Sequence, residues 1–211
     1  MKTVSLILAR GGSKEVPQKN IQLLSGEPLI SYTINAAKWS GVDEVWVSTD
    51  SSIIKGLSIQ LGAKVINRPS EFAKDDSPSE EALLHFAENV DFDVLVFIQP
   101  TSPLLRPSYI DEGLEKMKEY DSVFSVYKEH WLPRWSLDIS PINFDENKGR
   151  PMRQDKEDVY VENGAFYITT KENLLESKSR VSGNVGVVEM KIGDSFQIDT
   201  WDDFELVGRL V

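Results

Sequence analysis

Along the first two thirds of the chain, short β-branched and aliphatic runs alternate with amphipathic stretches of helical period. Val4 to Ala9 is an apolar run of strand length that stops at Gly11-Gly12. After Pro28, the residues Leu29, Ile30, Thr33, Ile34 and Ala37 fall on one helical face, which predicts a helix over 29–39. Glu44 to Thr49 reads as a strand, followed by an amphipathic stretch around Ile53, Ile54, Leu57 and Leu61. Ala63 to Asn67 is another short strand, and Ser79 to Val90 a helix with Ala82, Leu83, Phe86 and Val90 inward. Asp93 to Gln99 is continuously apolar at its centre, the pattern of a strand buried on both faces of a parallel sheet. Pro107 opens a predicted helix to Tyr120, since proline suits the first helical turn. Ser122 to Tyr127, Val159 to Thr169 and Val185 to Met190 are further strands. Thr200-Trp201-Asp202-Asp203 opens a last helix with Phe204, Val207 and Leu210 as its apolar residues.

Strands alternating with helices of this length imply right-handed βαβ units, hence an α/β fold with a mainly parallel sheet flanked by helices. Ligands of such sheets lie beyond the carboxyl ends of the strands. Three groups of polar residues stand at those ends: Arg10 to Asn20, Asp50, and Gln99 to Arg106. Residues 128–158 break the pattern. They carry Trp131, Pro133, Trp135, Pro141 and Pro151 without a clear period, and a stretch this long is usually functional or part of an interface. The chain is read as one domain, 1–211.

Composition narrows the partners. The chain has 211 residues with 23 Lys plus Arg against 34 Asp plus Glu, a net charge of −11. An acidic surface argues against nucleic acid, which needs a basic face, and against anionic membrane. Clustered cations can still override that field locally. With no cysteine and two histidines, His85 and His130, thiolate and multi-histidine metal centres are excluded. No apolar run reaches the roughly 18 residues of a membrane helix, and the first residues lack the pattern of a signal peptide. The expectation is a soluble cytoplasmic protein.

The residues with chemical meaning fall in four segments. The first, Ala9-Arg-Gly-Gly-Ser-Lys-Glu-Val-Pro-Gln-Lys-Asn20, follows a strand and places Arg10, Lys14 and Lys19 within ten residues. Gly11 and Gly12 allow close backbone approach to an anion, and Ser13 adds a hydroxyl, so the composition is that of a phosphate-binding loop. Neither the P-loop nor the dinucleotide spacing of glycines is present. The second, Gln99-Pro-Thr-Ser-Pro-Leu104, ends the most apolar strand. Thr101 and Ser102 read as turn and cap residues, whereas the Gln99 amide needs a partner. The third is Asn163-Gly-Ala-Phe-Tyr-Ile168, a strand with a polar entrance. In the fourth, Gln197-Ile-Asp-Thr200, residues 197 and 199 face one side if extended. Asp199 is a candidate ligand for a hard cation, while Thr200 and Asp203 resemble a capping box. His85 reads as a partly exposed helix residue; His130, among aromatic and basic neighbours, is a candidate substrate contact.

These four segments, in this order, resemble the acylneuraminate cytidylyltransferase family, whose members activate sialic acid and its bacterial nonulosonic relatives such as legionaminic and pseudaminic acid. The resemblance spans essentially the whole chain and implies a Rossmann-like nucleotidyltransferase sheet. It also implies a reaction of CTP with an acidic nine-carbon sugar to give CMP-sugar and pyrophosphate, with Mg²⁺ as cofactor. By the same resemblance Arg10, Lys14 and Lys19 hold the triphosphate, Asn20, Arg68 and Ser79 contact the nucleotide, Gln99 and Asn163 face the sugar, and Asp199 binds Mg²⁺. Residues 128–158 resemble an arm that packs on a second subunit, from which Arg153 reaches the partner's site, so a homodimer is expected. Trp131 and Trp135 suit either that interface or a local core.

Three positions depart from the family pattern. Gln197 replaces the first aspartate of Asp-Ile-Asp, removing a carboxylate from the metal site. Glu15 puts a negative charge inside the phosphate loop. Val161 stands where some sialic acid enzymes carry a basic residue for the sugar carboxylate, which opens the substrate to legionaminic or pseudaminic acid. The alternatives are a nucleotidyltransferase that uses another nucleoside triphosphate or a sugar 1-phosphate, and a nucleotide-binding protein without turnover.

Overall fold

Short apolar strands, most of them followed by an amphipathic helix, set the order of the elements in a computed structural model. It describes residues 1–211; only the side chain of Arg153 lies outside the described residues. The strands are β1 (Thr3–Leu8), β2 (Leu23–Leu24), β3 (Glu27–Pro28), β4 (Glu44–Thr49), β5 (Lys64–Asn67), β6 (Val94–Ile98), β7 (Ser122–Glu129), β8 (Val159–Thr170) and β9 (Val185–Met190). The helices are α1 (Leu29–Lys38), α2 (Ser52–Gln60), α3 (Ser79–Asn89), α4 (Pro107–Lys116), α5 (Lys171–Ser177) and α6 (Trp201–Val207). Among the described residues, one sheet of seven strands runs in the order β5-β4-β1-β6-β8-β7-β9. Strands β5, β4, β1 and β6 are mutually parallel, and β9 is parallel to β7. Only β8 runs against its two neighbours, β6 and β7.

Burial follows the alternation of side chains across the sheet. On one face Ile7, Val47, Val96 and Phe166 pack under Ile30 and Ile34 of α1, Ile54 of α2 and Ile110 of α4. On the other, Leu6, Phe97 and Tyr167 pack under Leu83 and Phe86 of α3 and Leu174 of α5. The fully apolar β6 is buried along its whole length because helices cover both faces.

A third cluster positions the site. Val16, in the middle of the basic loop, is fully buried against Leu24, Leu29, Ile198, Phe204 and Val207. Burying one valine contributes about 1.5–3 kcal/mol, so this contact ties the loop after β1 to the segment before α6. That segment is fixed in turn by a capping box, in which the Thr200 hydroxyl accepts from the Asp203 N–H and the Asp203 carboxylate accepts from the Thr200 N–H.

Three expectations are corrected. The helix from Pro107 ends at Lys116, and residues 117–119 form turns. Leu210 lies beyond α6 and is exposed. Thr101 and Ser102 cap no helix, since α4 begins only at Pro107 with Arg106 before it. The β2–β3 hairpin and α5 are too short to show a hydrophobic period. Residues 130–158 contain two 3-10 turns and an isolated bridge between Trp135 and Pro141. Trp131 and Trp135 both meet Phe144 edge-on, in a small aromatic cluster that leaves Trp135 exposed. No helix among the described residues is long and apolar enough to cross a membrane.

Candidate nucleotide-binding site

The loops after β1, β5 and β6 leave a cavity of about 630 Å³ at the carboxyl ends of these strands. Its walls include Arg10, Ser13, Lys14, Lys19 and Asn20 from the first loop, Arg68, Lys74 and Asp75 from the connection between β5 and α3, and Ser79 at the start of α3. Gln99 and Thr101 line it from the end of β6, and Asp199 from the segment before α6. The parallel strands thus gather residues from four distant stretches at one edge, as strand-end geometry requires.

Four of its five cations are held among the described residues, all but Lys74. Arg10 Nη1 lies 2.5 Å from one oxygen of Asp75, and Lys14 Nζ 2.7 Å from the other. Lys14 foremost, then Arg10, hold the Asp75 carboxyl below the usual carboxylate range. Lys19 Nζ meets Asp199 Oδ1 at 2.7 Å and the Ile198 carbonyl at 2.9 Å. Arg68 is buried and donates to the Ser48 hydroxyl and carbonyl at 3.1 and 2.6 Å. Burial brings its guanidinium down to about 10, opposed by the nearby Asp50 charge. Asn20 is buried too. Its amide donates to the Arg10 carbonyl at 3.0 Å, which shapes the loop, while its Oδ1 has no partner among the described residues. An unpaired buried acceptor on a cavity wall suits a ligand donor.

Several expected site residues have other tasks. The Gly11 N–H donates to Asp50 Oδ1 at 2.8 Å, and a Cβ at Gly11 would come within 3.0 Å of Ser51 Cβ. Gly11 therefore serves the close approach of two loops, and neither it nor Gly12 lines the cavity. Asn163 is committed inside the protein. Its Oδ1 accepts from Ser125 Oγ at 2.6 Å and from the Ala165 N–H at 3.1 Å, and its Nδ2 donates to Ser195 Oγ at 3.0 Å. These bonds stitch an irregularity where the β7–β8 register shifts, with Gly164 at φ +70°. Asn163 thus stands in a β-bulge with its amide bonded at both ends inside the protein. Arg153 was expected to reach a partner's site; its side chain lies outside the described residues. His130 pairs with Asp158 at 3.0 Å, away from the cavity lining. His85 is half-buried on α3 beside Phe72.

The fourth segment also divides. Gln197 and Asp199 do not act together: Gln197 Oε1 accepts from Thr101 Oγ1 at 3.0 Å, and its Nε2 donates to the Asn163 carbonyl. Both ends of that amide are spent on bridging the loop after β6 to strand β8. Asp199 carries the carboxylate at the mouth, its side chain 70 % exposed and one oxygen on Lys19. Among the described residues no cluster of three or more His, Cys, Asp or Glu side chains forms. One carboxylate is a donor set that fits Mg²⁺ only in company with substrate phosphates, the way this ion is commonly held.

The sequence pattern does not single out Asp75, Lys74 or Ser77. The signal was their place between the end of β5 and the start of α3, a strand-end connection like those bearing Arg10 and Gln99.

A mixed sheet of this order, with a basic strand-end loop beside a buried amide oxygen that has no partner among the described residues, defines a Rossmann-like α/β protein with a cavity lined by cations. The fold is that of a CMP:2-keto-3-deoxy-manno-octonic acid synthetase complexed with CTP, with a TM-score of 0.78 over all of this chain and 98 % of that one, at 20 % identity. Residues 4–210 match the family described as cytidylyltransferase, and the chain belongs to that family. It is 40 % identical over 216 residues to N-acylneuraminate cytidylyltransferase B of Danio rerio, covering 98 % of this chain but 51 % of that protein. The chain spans about half the length of the fish relatives it matches. It is 35 % identical over 227 residues to the CMP-N,N'-diacetyllegionaminic acid synthase of Legionella pneumophila, covering all of this chain and 97 % of that one.

Proposed function

We propose that this chain transfers the CMP moiety of CTP to a nonulosonic acid, of the N-acylneuraminate or legionaminate type, and releases pyrophosphate. The observation that carries the reading is the meeting of Arg10, Lys14 and Lys19 around one cavity whose wall also holds the unpaired acceptor of Asn20. The names of the fish and Legionella relatives supply the base and the sugar class.

In this reading the anomeric oxygen bonds to the α-phosphorus, the bond to the bridging oxygen breaks, and pyrophosphate leaves. Such transfers need positioning and charge neutralisation more than covalent help. Arg10 and Lys14 would hold outer phosphates, while Lys19, pinned by the Ile198 carbonyl, would hold a fixed charge deeper in the cavity. Asn20, Arg68 and Ser79 would contact the nucleotide, and Gln99, whose side chain makes no hydrogen bond among the described residues, would orient the sugar. Asp199 would hold Mg²⁺, which supplies charge neutralisation on the phosphates when bound. Glu15 lines the same cavity but is exposed, so it can turn to solvent as phosphate enters. We extend the reading to a cytoplasmic homodimer joined through residues 128–158, where Leu132, Leu137, Ile139 and Ile142 are exposed.

The test is pyrophosphate release across four nucleoside triphosphates and several acid sugars, with and without Mg²⁺. Release with CTP and a nonulosonic acid, dependent on Mg²⁺, is expected. Release only with another nucleotide or a sugar 1-phosphate would overturn the substrate assignment. Retained CTP binding with no release from any pair would leave a binding protein. Sedimentation at micromolar concentration tests the dimer.

A further inference from the structure

Asp75 stands in a six-residue connection, Ala73 to Pro78, and turns its carboxylate back onto the basic loop. Its two oxygens take Arg10 at 2.5 Å and Lys14 at 2.7 Å, one cation each. This is the way a phosphate group would sit between the same two side chains, with negative oxygens shared by a guanidinium and an ammonium. The contact is lateral, at the cavity wall, and Asp75 keeps 41 % of its side chain exposed. The short loop that carries it is itself lightly held. Ser77 Oγ donates to the Glu71 carbonyl at 2.8 Å, and the Phe72 and Ala73 N–H groups close the turn over Pro69 and Ser70. Asp76, the next residue, is exposed and has no ion pair among the described residues, so one of two adjacent carboxylates has been turned inward.

We propose that Asp75 is an internal stand-in for a nucleotide phosphate, a latch that keeps Arg10 and Lys14 paired and that incoming phosphate must displace. The proposal rests on the phosphate role given above to those two cations. Binding is then an exchange of one anion for another. It avoids leaving two cations side by side in the cavity, and it lowers affinity for phosphate by whatever the carboxylate contributes. After transfer, the returning carboxylate competes with pyrophosphate and favours its departure. Lys19, held by Asp199 and not by Asp75, remains outside the exchange.

The test is the affinity of the full chain for CTP, for inorganic pyrophosphate and for cytidine, measured by calorimetry in the wild type, Asp75→Asn, Asp75→Ser and Asp76→Asn. Surface ion pairs are individually weak, so both Asp75 variants should bind CTP and pyrophosphate about three- to tenfold more tightly than the wild type. Cytidine affinity should not change, and Asp76→Asn should stay within about twofold, which separates the latch from a general loss of negative charge. Equal effects of Asp75→Asn and Asp76→Asn, or weaker binding in the Asp75 variants, would overturn the latch. CTP binding that Asp75→Asn leaves unchanged defeats the latch and spares the nucleotide reading. Tighter pyrophosphate without any CTP binding upholds the latch and defeats that reading.

Discussion

Lys19 Nζ lies 2.7 Å from Asp199 Oδ1, and the two side chains differ sharply in depth: that of Lys19 is 15 % exposed and that of Asp199 70 %. A sunken cation fixed by the Ile198 carbonyl thus holds one oxygen of a carboxylate whose remainder faces the cavity mouth. Helix capping beside it belongs to Thr200 and Asp203. Asp199→Asn should therefore leave thermal stability within about 0.5 kcal/mol of the wild type. Mg²⁺-dependent turnover should fall by on the order of 10²-fold or more, and Mg²⁺ binding to the CTP complex, read by calorimetry, should weaken. Loss of stability with metal dependence intact would return Asp199 to a structural role.

In the proposed reading Arg10 supplies the guanidinium fork of the phosphate site, because Arg68 is committed to Ser48 and the other cations lining the cavity are lysines. Arg10→Ala should lower kcat/KM by on the order of 10²-fold. Arg10→Lys should recover part of this loss, since it keeps the charge but not the fork. Steady-state rates over a CTP series check both, and an unchanged rate for the alanine variant would remove Arg10 from the phosphate site.

Glu44 on β4 accepts from Lys64 Nζ and from Trp46 Nε1, both at 2.8 Å, with Lys2 Nζ at 3.3 Å. Lys64 first, and then Trp46, bring its carboxyl down to about 2 from an ordinary 4.5. A carboxyl depressed on folding stabilises the native state above its unfolded pKa, and that contribution is lost as pH falls through the folded value. Between pH 4.5 and 2 the wild type should thus lose stability that Glu44→Gln never had. Urea unfolding at pH 7, 4 and 2 should show the variant less stable at pH 7 and the gap closing toward pH 2. A gap independent of pH would assign the effect to packing.

The parallel half of the sheet and the place of the candidate cavity were legible because both follow from local pattern. β6 is apolar enough to need cover on both faces, and strand ends of such sheets carry the polar groups. The duties of individual polar residues were not legible, since each depends on a partner far along the chain. Gly11 looks like an anion cradle until Asp50 is seen to take its N–H. Asn163 looks like a ligand until the β7–β8 register shift brings Ser125 and Ser195 to its amide. Asp75 carries no motif at all, and its meaning lies entirely in what it reaches. Alternation by two likewise places 197 and 199 on one side, but each side chain bends to a different partner.

Gln197 shows the physical cost of placing an aspartate at this position. Its amide is used at both ends, accepting from Thr101 and donating to the Asn163 carbonyl. A Cβ at the neighbouring Gly164 would lie 2.7 Å from Gln197 Nε2, so the glutamine is packed as well as bonded. An aspartate is one methylene shorter and has no N–H to give. Gln197→Asp would leave the Asn163 carbonyl without its donor and bring a negative charge toward it, and an unsatisfied buried group costs about 1–3 kcal/mol. The variant should lose about 1–3 kcal/mol of stability and unfold at a lower temperature, without binding Mg²⁺ more tightly. Gln197→Glu keeps the length but still lacks the donor, and should lose most of the same stability. Calorimetric Mg²⁺ titration of the CTP complex beside thermal unfolding decides the matter. Tighter metal binding with unchanged stability would show that position 197 faces the cation after all.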